Sequence, residues 1–149
     1  MKRFLLLSLP LLVLTMALFH FALDTLGLGD GSVRAARLGA DAATVSALPP
    51  WAVLATWCLE AFALTALFLL VHGRAGQVGQ ASQAGSTWST GLLASWIAWV
   101  FRGPLLVVAV VGAGLRPGPW WSMALAWWVL YSLCGLLMGA LAQASGLQA

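Results

Sequence analysis

Charge is what this chain has least of. Among 149 residues there are seven Lys and Arg and four Asp and Glu, 7% in all, against about a quarter in soluble domains. So few charges cannot cover a soluble globule of this size, and 62% of the residues are hydrophobic. Cysteine is scarcer still. Cys58 and Cys134 form no CxxC and both fall inside apolar runs, so they read as small apolar fillers and not as a disulfide or metal framework. No HExxH, GxSxG or phosphate-loop motif occurs, and no nucleophile–base pair stands out. The basic residues are scattered one or two at a time. Without a basic stripe or an aromatic-interleaved groove, nucleic acid is excluded as a partner. The expectation from these absences is a protein with no catalytic residue, no cofactor and no metal ligand.

What the chain does have is long apolar runs. Residues 4–23, 51–71, 91–111 and 120–142 each approach or exceed the roughly 20 residues that a spanning helix needs. They predict an all-α, polytopic membrane protein: a four-transmembrane-helix bundle with short loops, forming a single membrane domain over residues 1–149. The bilayer is its first partner. Little chain is left over for an extramembrane catalytic domain.

The first run follows Met1, Lys2 and Arg3 and looks at first like a signal peptide. It is longer than the roughly 7–15 residues of a signal h-region, and residues 17–24 offer no small-x-small cleavage site, so a retained helix is expected. Pro10 deprives the Leu6 carbonyl of its helical donor, which predicts a kink. His20, near the far end, reads as interfacial. Residues 24–50 form the longest polar connection, broken by Gly27, Gly29 and Gly31 and closed by Pro49 and Pro50. Inside it, Asp30 can cap a short surface helix over residues 32–43, or the stretch is an ordinary ordered loop. Residues 72–90 are rich in Gly, Ser and Gln and read as a flexible linker. Trp51, Trp88 and the Trp120–Trp121 pair mark membrane interfaces.

Orientation rests on the basic residues. Lys2, Arg3 and Arg74 lie on one side of this plan and Arg34, Arg37 and Arg116 on the other. Lys2 and Arg3, directly beside the first run, tip both termini into the cytoplasm. The Ala-, Leu- and Trp-rich, Lys-poor composition fits a GC-rich bacterial genome, and hence a bacterial inner membrane.

Two of the eleven charges fall deep inside apolar runs: Glu60 in the second and Arg102 in the third. An isolated charge there costs about 2.5–3.5 kcal/mol on insertion scales, and such residues usually face a bundle interior with a partner. Antiparallel runs bring these two to nearly the same depth, so they are expected to pair. Helical spacing puts Thr56 on the Glu60 face, and Ser95 and Trp99 on the Arg102 face. Trp99 is the expected cation–π partner of Arg102. Tyr131, midway along the fourth run, shares the depth and completes the expected intramembrane polar cluster. One helical turn beyond it, Gly135 and Gly139 form a GxxxG step suited to close helix packing, within one chain or between copies. Gly103 and Pro104 follow Arg102, either as a tolerated proline or as a functional break. His20 and His72 end different antiparallel runs, on opposite membrane faces, which argues against a haem held between them.

Two function classes fit. The first is a noncatalytic accessory subunit or scaffold, packing with itself as a homo-oligomer or with another membrane protein. The second is a small oligomeric carrier or channel whose pathway uses Glu60, Arg102 and Tyr131, which needs the charge pair to part during a cycle.

Overall fold

The computed structural model describes residues 2–26, 50–78, 83–112 and 118–147. Every element among them is an α-helix: α1 Lys2–Thr25, α2 Pro50–Val78, α3 Gln83–Arg102, α4 Pro104–Gly112 and α5 Gly118–Ala144. The short surface helix considered for residues 32–43 lies outside the described residues.

The helix ends follow from local chemistry. Pro50 opens α2, where a missing N–H is not needed and the fixed φ is already helical, and Pro104 opens α4. Gly146 closes α5 at φ +64°. There the Leu147 N–H donates to the Ala142 carbonyl and the Gly146 N–H to the Gln143 carbonyl, the paired bonds of a Schellman end. Leu147 folds back onto the core beside them. α1 runs as one helix through Pro10, which sits on its exposed side.

Taken singly, three helices are long and apolar enough to cross a membrane: α1, α2 over Pro50–Arg74, and α5 over Trp121–Ala144. The third expected span is divided between α3 and α4. Pro104 has no N–H to give, but the helical bonds resume at once on either side, from Gly103 to Trp99 (2.8 Å) and from Val107 to Gly103 (3.1 Å). The interruption is one residue wide.

The expected flexible linker over residues 72–90 is corrected at 72–78 and 83–90, and residues 79–82 lie outside the described residues. α2 continues to Val78 and α3 begins at Gln83. Composition favoured a coil, but both ends of the stretch pack into the bundle, where burial can outweigh propensity: His72 is buried against Phe68, and Thr87, Thr90 and Gly91 are buried.

The helices close a ring, α1 on α2, α2 on α3, α3 on α5 and α5 back on α1, with α3 and α5 the closest pair. Neighbours are antiparallel: Phe4 stacks on Phe68 while His20 meets Trp57, so α1 and α2 run in opposite directions. This is the up-down-up-down plan of a four-helix bundle. Each helix turns one stripe inward. In α1 it is Phe4, Ser8, Leu12 and Met16, one residue every four. The outward faces carry Leu6, Leu14, Phe21, Leu59, Phe62 and Leu125, all more than half exposed. Ser8, Thr65, Ser95 and other small polar residues are buried instead. Large apolar side chains outside and small polar ones at the helix contacts are the arrangement expected in lipid. This is a helical membrane protein.

Candidate functional site: a charge pair in a lateral cleft

Glu60 lies on α2 and Arg102 at the C-terminal end of α3, and the Arg102 Nη1 engages Glu60 Oε1. Antiparallel packing puts the two at one level, because rising residue numbers on α2 meet falling ones on α3. A guanidinium and a carboxylate drawn out of water attract strongly but lose much hydration, so the contact sets register more than it adds net stability.

The ring over which the guanidinium lies belongs to Trp127 of α5, with the Arg102 Cζ 4.2 Å from the ring centroid. Trp99, expected in that position, is committed elsewhere. Its indole N–H donates to the Ala124 carbonyl at 2.7 Å. Gly103 makes this possible, since a Cβ there would fall 2.9 Å from the Trp99 Nε1 and 3.2 Å from the Ala124 Cβ. The missing side chain lets the indole slide between α3 and α5. Nothing in the spacing of Trp127 in sequence marked it, since its role depends on which face of α5 turns toward α3.

Tyr131 joins the pair, with its phenol beside the Arg102 guanidinium. Together Glu60, Arg102 and Tyr131 line a cleft of about 350 Å³ whose other walls are Ala63, Leu64 and Leu67 of α2 and Ala98 and Phe101 of α3. The cleft opens sideways, because Ala63 and Phe101 are exposed on the outer surface. Tyr131 itself is buried and forms the floor. Glu60 Oε2 and Arg102 Nε are buried with no hydrogen-bond partner among the described residues, so the pair does not satisfy itself completely.

Two expected members stand apart. Thr56 is exposed, and its hydroxyl donates back to the Ala52 and Val53 carbonyls at 2.7 and 3.0 Å. Ser95 is buried at the α3–α5 seam, its Oγ 2.7 Å from where a Cβ on Gly135 would lie. Gly135 and Gly139 both face α3. A Cβ on Gly135 would fall 2.6 Å from the Gly91 carbonyl oxygen, and one on Gly139 would fall 2.9 Å from the Thr87 carbonyl oxygen. The GxxxG step is therefore taken up inside the chain. Indole N–H groups reinforce the same seam, from Trp88 to Gln143 Oε1 (3.2 Å) and from Trp96 to Ser132 Oγ (3.1 Å).

No family model matches the chain, and comparison with curated proteins and with solved structures finds no match either. Function rests on the geometry alone.

The remaining chemistry-bearing groups are dispersed. His20 Nδ1 bonds the Met16 carbonyl at 2.8 Å and its ring meets Trp57. His72 stacks on Phe68 at the opposite end of the bundle, buried, both nitrogens without a partner among the described residues. Cys58 is exposed and Cys134 buried, both as free thiols. Among the described residues no three His, Cys, Asp or Glu gather to hold a metal ion.

Proposed function

We propose that this protein is a noncatalytic membrane scaffold or accessory subunit, packing with copies of itself or within a larger membrane complex. We place it in a bacterial inner membrane with both termini in the cytoplasm. One observation carries the reading: the strongest polar contacts of the bundle are made between its own helices, while the outward faces are apolar. Such a body offers lipid or another membrane protein a surface to pack against, and among the described residues no nucleophile is paired with a base. The charge pair then acts as a register device between α2 and α3.

Affinity purification in a mild detergent, followed by native mass spectrometry, tests this. A stoichiometric second protein, or a defined homo-oligomer, supports the scaffold. A monomer free of any partner at every detergent concentration overturns it.

A second reading has one observation in its favour. Glu60, Arg102 and Tyr131 line a single cleft, as the pathway of a small oligomeric carrier or channel would require. Under that reading Glu60→Gln leaves a folded protein that no longer transports solute in proteoliposomes. Under the scaffold reading the same variant changes stability and assembly.

A further inference from the structure

The α2–α3 cleft combines features that the register role leaves unused. Its donor side is its open side: 27% of the Arg102 side chain is exposed against 14% of that of Glu60. A guanidinium carries five N–H donors and no acceptor, and Glu60 Oε1 engages only part of that fork. Tyr131 adds a hydroxyl at the floor. Glu60 Oε2 is also unpaired but enclosed, so it is the open, donor-lined side of the cleft that asks for an oxygen acceptor.

The acceptor's charge is constrained as well. Glu60 already neutralises Arg102, so an entering anion would meet the carboxylate and an entering cation the guanidinium. A neutral group meets neither penalty. Depth narrows the class further. Glu60 and Tyr131 fall near the middle of the membrane-length stretches Pro50–Arg74 and Trp121–Ala144, about half the hydrocarbon thickness from any phospholipid headgroup. A donor exposed at that depth is costly, and the groups able to satisfy it there are carbonyls of neutral lipids that enter the bilayer core.

From this we infer that the cleft is a lateral binding site for the carbonyl end of a neutral lipid. Arg102 and Tyr131 donate to the carbonyl oxygen. Leu64, Leu67 and Phe101 hold the adjoining apolar part, and the small side chains of Ala63 and Ala98 leave room for it. About 350 Å³ accommodates the polar end of such a lipid while its tails remain in the bilayer. The inference stands whether the protein acts alone or as a subunit, since it concerns a contact with lipid.

The test uses the full chain in lipid nanodiscs and a 1,4-benzoquinone carrying a diazirine on its alkyl tail. Irradiation followed by peptide mass spectrometry is expected to place the label on cleft-lining residues of α2 and α3 in excess of the outward face of α5. Competition separates the sources of the carbonyl. Protection by unlabelled decyl-benzoquinone alone assigns a quinone, and protection by trioleoylglycerol assigns an acylglycerol. Squalane, a hydrocarbon without a carbonyl, should not compete. Arg102→Lys keeps a cation for Glu60 but loses the planar fork, and should weaken labelling about tenfold, the loss of one hydrogen bond to a charged group. Ala63→Leu/Ala98→Leu fills the cleft without touching a charge and should abolish labelling. If that double variant does not fold, Ala63→Leu alone, on the exposed side, takes its place. Uniform labelling of the outer faces, equal competition by squalane, or undiminished labelling of a folded filled variant would each overturn the site.

Discussion

Gly91 and Gly135 touch backbone to backbone: a Cβ placed on Gly91 would fall 2.2 Å from the Gly135 carbonyl oxygen. No real Cβ sits that close, so these two glycines set the distance between α3 and α5. Gly91→Ala or Gly135→Ala must push the helices apart, and overpacking of this kind costs about 1–3 kcal/mol. Gly73→Ala and Gly112→Ala, where a Cβ meets nothing within 4 Å, serve as controls. Thermal unfolding in detergent should show a clear loss for the first pair and none for the second. Because the GxxxG step is occupied by α3, Gly139→Ala should lower stability without altering oligomeric state.

For Glu60 and Arg102, the expected order of stability is wild type, then the exchanged pair Glu60→Arg/Arg102→Glu, then either single neutralisation. Removing one partner of a buried pair costs about 3–5 kcal/mol because the other is left uncompensated. The partial exposure of this pair puts the loss toward the lower figure. Denaturant titration in mixed micelles measures it. A single Glu60→Ala variant as stable as wild type would show that the contact does not hold α2 to α3.

The two tryptophans near Arg102 can be told apart by double-mutant cycles. Trp127→Leu with Arg102→Gln should show a coupling of about 0.5–2 kcal/mol, the range of a cation over an indole face. Trp99→Phe with Arg102→Gln should add without coupling. Trp99→Phe alone should cost about 1 kcal/mol through its lost bond to the Ala124 carbonyl.

The thiols give a simple check of helix rotation. Cys58 is exposed and Cys134 fully buried. In detergent, N-ethylmaleimide should modify Cys58 quickly and Cys134 only on unfolding, read as one added mass and then two. Early modification of Cys134 would place α5 in a different rotation.

Much of this was legible in the residues. Four apolar runs dictated an all-helical membrane bundle, because a backbone in lipid must bond within its own segment. A lone carboxylate in one run and a lone guanidinium in the next, at matching positions, pointed to each other because neither is stable alone at that depth. The helical character of residues near 72–78 and 83–90 was not legible. Gly, Ser and Gln read locally as coil, and the burial of His72, Thr87 and Thr90 at the two ends of the stretch is a tertiary fact that composition does not carry.

By itself, then, the sequence determined the all-helical class, the apolar exterior and which polar groups lie at one level along neighbouring helices, since all three follow from position along a helix axis. The tertiary structure alone decided what each group touches. It put Trp127 and not Trp99 under Arg102, turned Thr56 outward, drew Ser95 to the Gly135 seam, and opened the cleft between α2 and α3. The reason is rotational: spacing along a helix says which residues share a face, and only packing against neighbouring helices says where that face points.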